Sequence, residues 1–178
     1  MKKLFVAILV LTVFGCVASA ADQAANTPQI ERGKYLVTLG VCDDCHSPKI
    51  MTEKGPVPDE SRRLSGHPHD LKVSEFPASV VPQKWGATGN EHFTAWAGPW
   101  GISFAANLTP DEKTGLGSWT PEMFRNAIRN GKHMGTGRPI LPPMPWPNYR
   151  EATDDDLNAI FAYLRTLKPI SNAVPDVF

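Results

Sequence analysis

The sequence predicts a mainly α-helical domain that is interrupted by one long irregular segment. Two stretches in the C-terminal half combine helical apolar periodicity with an N-cap and a helix stop. The chain contains 14 glycines and 17 prolines, which is more proline than average usage gives, and many of them fall in residues 47–106. A single Cys-x-x-Cys-His pattern at residues 42–46 follows the first predicted helix.

The composition is that of a globular protein. Hydrophobic residues make up 42% of the 178 residues and charged residues 20%, which excludes a disordered or collagen-like chain. The 18 basic residues balance the 18 acidic residues, so the chain lacks the basic excess that is typical of nucleic-acid binders. The length fits one domain that contains a large insertion.

Residues 1–20 have the pattern of a secretory signal peptide. Two lysines precede an apolar run over residues 4–14, and Ala18-Ser19-Ala20 forms an A-x-A cleavage site. The apolar run is too short to span a bilayer as a helix. We therefore predict export, cleavage after Ala20 and a flexible N-terminus over residues 21–28.

Cys16 leaves a second route of export open. Val13-Phe14-Gly15-Cys16 resembles the lipobox of bacterial lipoproteins, in which the cysteine becomes the lipidated N-terminus, although Phe14 fits that pattern poorly. No later apolar stretch approaches 18 residues, so we expect no transmembrane span after signal removal.

Three helices are predicted. The first covers Gln29–Leu39 and has a partial apolar face. The second lies between Thr120, an N-cap, and Gly131, a typical helix stop. The third begins after Thr153 with three aspartates, which suit the positive end of the helix dipole, and is predicted to end at Lys168-Pro169. The apolar stripes of the second and third helices comprise Phe124, Ala127 and Ile128, and Leu157, Ile160, Phe161 and Leu164.

Residues 47–106 form the irregular segment. They hold seven prolines, six glycines and three tryptophans, and a structureless loop of this length would be unusual in a compact domain. Within them, residues 94–105 predict a short hairpin around Gly98-Pro99-Trp100-Gly101. We interpret the segment as an insertion that packs on the helical domain through Trp85, Trp96 and Trp100; a mobile lid is the alternative.

Cys42-Asp43-Asp44-Cys45-His46 carries the predicted chemistry. C-x-x-C-H is the pattern to which haem c is covalently attached. Residues i and i+3 share one face of a helix, so the two thiols are placed to bond the two vinyl groups along one porphyrin edge. His46 then offers an imidazole nitrogen to the iron. Because the pattern occurs once, we predict one covalent haem.

Three other kinds of site also use a pair of cysteines. A redox pair would need a thioredoxin-like βαβ context, which the sequence lacks. A Cys2His2 zinc site would have to use His67 and His69, which lie two positions apart in a Pro/Gly-rich loop. A small-loop disulfide fits an exported chain. None of the three explains why His46 directly follows Cys45.

The sixth iron ligand of an electron carrier is usually Met or a second His. Met51 lies too near the motif in sequence to reach the opposite haem face, and Met123 falls inside a predicted helix. Met134 lies in a glycine-containing stretch that looks too flexible to hold a ligand. The candidates are Met51, Met123, Met134 and Met144, with His67, His69, His92 and His133.

Met144 is the predicted sixth ligand. It lies in residues 141–147, where four prolines fix the backbone φ angle and so make a rigid loop for a weak thioether–iron bond. Met134 and His133 are the alternatives for this ligand. A methionine that only fills a gap in the core is the structural alternative for Met144.

Further side chains are predicted around the haem. Pro48 leaves a carbonyl near His46, and metal-bound histidines usually donate their second ring N–H to such a group. Trp119 and Arg138 are candidates for contacts with the haem propionates, whereas a core Trp119 and a surface Arg138 fit the sequence equally well. Asp111 and Glu112 lack the spacing of an EF-hand, so a solvated turn is expected there.

With these motifs the chain resembles the single-haem c-type cytochromes and the cytochrome c subunits of periplasmic alcohol and aldehyde dehydrogenases, over nearly all of residues 29–175. The resemblance implies an α-helical cytochrome c fold with crossing terminal helices, His46 as proximal ligand and Met144 as distal ligand in a loop that includes Pro143. The segments that carry it, besides residues 42–46, are residues 32–36, 64–68, 107–111, 114–119, 138–139, 142–145 and 162–165.

Two functional classes follow from these residues. The first is an electron-transfer protein rather than an enzyme, located in the periplasm, which passes electrons from a dehydrogenase to a cytochrome or oxidase of the respiratory chain. The second is a haem enzyme or gas sensor, such as a peroxidase, with an open iron site. The sixth ligand discriminates between them, because a methionine-capped iron leaves no position for peroxide or gas.

Overall fold

A computed structural model describes residues 18–73 and 86–176, and for residues 18–26 it describes the backbone alone. Most of the predicted signal peptide, with Cys16, lies outside the described residues, as does Trp85. The signal peptide and the lipidated alternative therefore remain predictions.

Five α-helices and five short β-strands form the described part of the chain. The helices are α1 (Ala18–Leu39), α2 (Cys42–His46), α3 (Pro121–Asn130), α4 (Trp146–Tyr149) and α5 (Asp154–Leu164). The strands are β1 (Lys49–Thr52), β2 (Gly55–Pro58), β3 (Thr88–Gly89), β4 (Ala95–Gly98) and β5 (Gly101–Phe104). Two 3-10 turns cover Glu60–Arg62 and His133–Gly135.

Helix α1 begins earlier than the sequence predicted. It starts at Ala18 instead of Gln29 and contains Pro28, so residues 21–28, for which we predicted a flexible N-terminus, are helical. The segment before Pro28 is rich in alanine, the residue with the highest helix propensity. The apolar periodicity that located the predicted helix begins only at Ile30 and gave no sign of this extension.

The first and last helices pack against each other. A Cβ on Gly33 of α1 would overlap the Ala159 carbonyl group of α5, so the two backbones approach closely at this point. An ion pair between Arg32 and Asp156, 2.9 Å apart, flanks the contact. Val37 of α1 is fully buried. This pairing of the terminal helices is the arrangement that the family resemblance implied.

The bounds of α3 confirm the prediction. The Thr120 side chain accepts a hydrogen bond from the Met123 N–H, and Pro121 occupies the first turn. Gly131 ends the helix in the left-handed conformation, with φ 62°. Phe124, Ala127 and Ile128 are buried, as predicted.

Helix α5 also begins where predicted but ends sooner. The Thr153 side chain accepts from the Asp156 N–H, and three aspartates occupy the first turn. The helix stops at Leu164 rather than at Lys168. Arg165 follows it and donates to the Leu116 and Gly117 carbonyls. This long-range contact lies where the helix ends, before Pro169 is reached.

The irregular segment contains two small antiparallel sheets. Strands β4 and β5 pair from Ala95–Phe104 to Gly98–Gly101, which confirms the predicted hairpin, and β3 pairs with β4. The sequence did not predict the β1–β2 hairpin, in which Lys49 faces Pro58. Prolines in β2 argued against a strand, but this two-stranded sheet consists only of edge strands, where proline is tolerated.

The core lies between the helices and includes no residue of the described strands. Leu64 and Leu116 are the loop residues that enter this core. Within the part of the chain that the structure describes, no helix is both long and apolar enough to cross a membrane. The buried cluster comprises Val37, Leu64, Leu116, Phe124, Ile128, Leu157, Phe161, Tyr163 and Leu164.

Candidate functional site

Helix α2 presents the Cys-x-x-Cys-His motif as a single short helix directly after α1. Val41 separates the two helices in the left-handed conformation, with φ 48°. Cys42 and Cys45 are both free thiols and both partly buried. The two sulfurs therefore belong to one helical turn, as the attachment of a haem through thioethers requires.

The surroundings of the cysteines argue against a redox pair. Burial, followed by the neighbouring Asp43 carboxylate, raises the pKa of the Cys42 thiol to about 11. Burial also raises the pKa of Cys45, and the Trp96 side chain offsets part of that rise. Catalytic dithiols instead have lowered pKa values, because the thiolate is the nucleophile.

The zinc alternative has no support in the described residues. They contain no group of three or more His, Cys, Asp or Glu side chains that could hold a metal ion. His67 is buried and bonds the Thr94 hydroxyl and the Leu71 carbonyl, each at 2.9 Å. His69 bonds Asn172 instead.

The His46 imidazole is oriented by a backbone carbonyl. Its Nδ1 lies 2.7 Å from the Ala106 oxygen, so Nδ1 carries the proton and donates, which leaves the Nε2 lone pair available to a metal. Burial lowers the pKa of His46, which favours the neutral ring that metals bind.

Our assignment of the carbonyl acceptor to Pro48 was wrong. The Pro48 carbonyl accepts from the Asp59 N–H at 2.8 Å, inside the loop that leads away from β2. Ala106 takes its place because the chain after β5 returns beside α2, 60 positions further along the sequence. No local signal in the sequence marks Ala106 for this role.

A set of polar side chains ties α2 to its surroundings. Ser47 donates to the Asp43 carboxylate at 2.7 Å and accepts from the Leu64 N–H at 2.8 Å. Arg63 bridges that same carboxylate, at 2.6 Å, to the Tyr163 hydroxyl of α5, at 2.8 Å. Helix α2 is thus connected to the core and to α5 by hydrogen bonds that the sequence did not predict.

Met144 lies half-buried against the same core cluster that Cys42 and Trp119 contact. Its loop is bound to the β4–β5 hairpin, because the Ser103 hydroxyl donates to the Pro142 carbonyl at 2.6 Å. Pro143, in contrast, is exposed. Met144 thus reaches the core from the proline-rich loop of residues 141–147, which is bound to the hairpin.

The rival methionines have different surroundings. Met51 is 75% exposed on the β1–β2 hairpin. Met134 is 38% exposed in the 3-10 turn and has a φ of 54°, which is unusual for a residue with a side chain. Met123 lies half-buried in α3.

Trp119 lies just before α3, and it contacts His133, which follows the helix and bonds Arg138. The rings of Trp119 and His133 meet edge to face, with centroids 5.0 Å apart. The His133 N–H donates to the Arg138 carbonyl at 2.9 Å, and the Arg138 side chain is exposed. Burial and then the Arg138 charge lower the pKa of His133. Trp119 therefore has a partner in the protein, whereas Arg138 faces solvent.

Two aromatic residues near the cysteines were not identified as site residues from the sequence. The Tyr149 hydroxyl of α4 donates to the Gly40 carbonyl at 2.5 Å, just before α2. Trp96, which we predicted only as an anchor of the insertion, acts to lower the pKa of the Cys45 thiol. Trp100 instead folds over its own hairpin, where its ring covers Gly98. Only the three-dimensional fold brings Tyr149 and Trp96 to α2.

The Asp111 loop is a turn, as expected. The carboxylate accepts from the Thr114 N–H at 2.8 Å and from the Thr114 hydroxyl at 2.6 Å. Such an Asx turn satisfies the carboxylate within its own loop.

Comparison with known proteins supports the family resemblance. The chain is 29% identical over 89% of its length to the gluconate 2-dehydrogenase cytochrome c subunit of Pantoea cypripedii. It is 29% identical over 98% of its length to the alcohol dehydrogenase (quinone) cytochrome c subunit of Gluconobacter oxydans, and 35% identical over 89% to that of Gluconacetobacter polyoxogenes.

The chain is shorter than these proteins. It spans 28%, 29% and 26% of their respective lengths. No protein-family model matches the chain. Its similarity is to proteins that are named as cytochrome c subunits of dehydrogenases.

Proposed function

We propose that this chain, a relative of the cytochrome c subunits of dehydrogenases, is an exported c-type cytochrome that transfers single electrons through one covalently bound haem. Cys42 and Cys45 would hold the haem by thioethers and His46 would be the proximal ligand. The observation that carries the proposal is the bond from His46 Nδ1 to the Ala106 carbonyl, beside two free thiols on the same helical turn. When bound, the haem supplies a one-electron couple between ferric and ferrous iron.

The protein's own residues fit such a group. Both thiols are protonated, partly buried and free of a disulfide, and the imidazole is oriented and neutral. We assign the distal position to Met144, with Pro143 in its loop and with Trp119 and Arg138 near the haem edge. Half-burial of Met144 against the cluster that Cys42 also contacts supports this assignment over the exposed Met134.

The location and the partners follow from the same proposal. Cleavage after Ala20 would release the chain into the periplasm; lipidation of Cys16 would instead anchor it to a membrane surface. The electron donor would be a periplasmic dehydrogenase, since the relatives are dehydrogenase subunits. The acceptor would be a cytochrome or an oxidase of the respiratory chain.

A spectrum of the purified protein, oxidised and reduced, tests the carrier against the open-site enzyme. The carrier has both axial positions filled, so its reduced spectrum should not change when carbon monoxide is added at neutral pH. Rapid carbon monoxide binding together with peroxidase turnover would favour the haem enzyme. A purified protein without covalent haem, after expression with the attachment machinery, would contradict both.

A further inference from the structure

Lys49 is a buried cation at the end of α2. It is the first residue of β1, and only 7% of its surface is exposed. Its ammonium group donates to the backbone oxygens of Asp43, Asp44 and Ser47, at 2.9, 3.0 and 2.5 Å. These oxygens lie in α2 and at Ser47, the residue that follows it; the Asp43 oxygen also accepts from the Ser47 N–H, whereas the last carbonyl groups of a helix generally have no partner within it.

The geometry requires the charged form of the side chain. An ammonium group has three N–H donors, and all three acceptors here are backbone oxygens that cannot donate in return. A neutral amine would place its lone pair against one of those oxygens. Burial lowers the pKa of Lys49, whereas the nearby Asp44 carboxylate raises it. The charge is also complementary to the negative end of the helix dipole.

The two carboxylates near Lys49, those of Asp43 and Asp44, do not neutralise its charge directly. The Asp43 carboxylate is already paired with Arg63 at 2.6 Å, and the Asp44 side chain is exposed to solvent. Lys49 therefore provides a positive charge at the end of α2, where it acts to lower the pKa of both His46 and Cys45. A buried charge is screened by water and salt much less than an exposed one.

We propose that Lys49 is a positioning residue that fixes the end of α2 and, as a buried positive charge beside His46, raises the reduction potential of the bound haem. This inference rests on the proposed function. Ferric haem carries one more positive charge than ferrous haem, so a nearby fixed cation favours the reduced form.

The test compares the reduction potential of the holoprotein in Lys49→Met, Lys49→Gln and Lys49→Arg. Lys54→Met is the matched control, because it removes the same charge from the exposed tip of the same hairpin. We expect each neutral Lys49 variant to shift the electron-exchange equilibrium with a reference couple about tenfold toward the oxidised form, which is 59 mV for one electron. Lys54→Met should shift it much less, and Lys49→Arg should remain near wild type.

The outcomes separate the two proposals. Wild-type protein without covalent haem would overturn the proposed function. Haem-loaded Lys49→Met or Lys49→Gln with the potential of Lys54→Met would overturn the inference alone. If neither neutral variant yields a folded holoprotein by circular dichroism and haem content, recovery of the holoprotein and of its potential by Lys49→Arg supports the need for the charge. Failure of Lys49→Arg as well would overturn the inference that the charge of residue 49 is what fixes the end of α2.

Discussion

The His46 ring is held at its Nδ1 by Ala106, and its backbone is held as well. The Gly66 N–H donates to the His46 carbonyl at 2.7 Å, and the adjacent Ser47 hydroxyl binds the Leu64 N–H. A metal-bound histidine oriented in this way keeps one tautomer and one ring direction. The proposed distal ligand, Met144, offers a thioether that accepts only weak hydrogen bonds, so under this proposal the loop of residues 141–147 has to hold it in place.

Replacing Met144 tests the distal ligand. Met144→Ala should abolish the weak sulfur-to-iron absorption of the oxidised protein in the near infrared and open the iron to carbon monoxide or cyanide. It should also lower the reduction potential by several times 59 mV, the shift that corresponds to about 1.4 kcal/mol for one electron. Near-infrared spectra and redox titration check both effects.

Met134→Ala is the control for this substitution, because Met134 is the exposed rival in the neighbouring turn. It should leave the absorption band and the potential unchanged. A band that survives Met144→Ala but disappears in Met134→Ala would transfer the ligand role to Met134.

The buried His67 should make stability depend on pH. Burial lowers the pKa of His67, with His92 acting in the same direction and the Leu71 carbonyl and Asp70 opposing it. Above about pH 7 the ring is neutral in both the folded and the unfolded chain. Below its ordinary pKa near 6.5 the unfolded chain takes up a proton that the folded chain does not, so the free energy of unfolding falls by up to about 1.4 kcal/mol per pH unit.

His67→Asn removes this titration. Urea denaturation of both proteins between pH 8 and pH 5 should give a steeper loss of stability in the wild type than in the variant. Equal slopes would mean that folding does not change the pKa of His67.

Local sequence signals located the elements whose ends are fixed by their own residues. Helix α3 has a side-chain N-cap and a left-handed glycine, and the β4–β5 hairpin has a turn bounded by glycines; both lie where predicted. The end of α5 and the acceptor for His46 depend on partners about 50 and 60 positions away, so no local pattern contained them. The motif in α2 was identifiable because three chemical groups share one helical turn.

The close contact between α1 and α5 can be tested by a substitution at Gly33. Gly33→Ala would place a methyl group into the Ala159 carbonyl, so the helices must separate. We expect a loss of about 1–3 kcal/mol in the free energy of unfolding, the usual cost of overpacking. Lys34→Ala, at the neighbouring exposed position of the same helix, should change stability by less than about 0.5 kcal/mol. Chemical denaturation of the two variants measures the difference, and equal stabilities would mean that the helices do not meet at Gly33.

Three segments that are distant in the sequence are joined by hydrogen bonds next to the site. Asn172 donates to the Ser65 and His67 carbonyls at 2.7 and 2.8 Å, and Asn107 donates to the Ile170 carbonyl at 2.8 Å. The segment after α5 thereby joins the loop that begins at Leu64 to the loop that contains Ala106. The orientation of His46 thus depends on the whole fold and not on α2 alone.

The mass of the mature protein tests the proposed export and the proposed covalent haem. Expression with export and haem-attachment machinery should give a polypeptide that begins at Ala21 and carries one haem that survives denaturation, because the sequence contains one C-x-x-C-H motif. Intact-mass spectrometry and N-terminal sequencing measure both features. An acylated N-terminal Cys16 would instead place the same haem domain at a membrane surface, where it would meet its redox partners by diffusion in two dimensions.

Cys45→Ala is the informative control for covalent attachment. With a single remaining thiol, the haem should be held by one thioether. Loss of all covalent haem would show that attachment requires both positions of the helical turn.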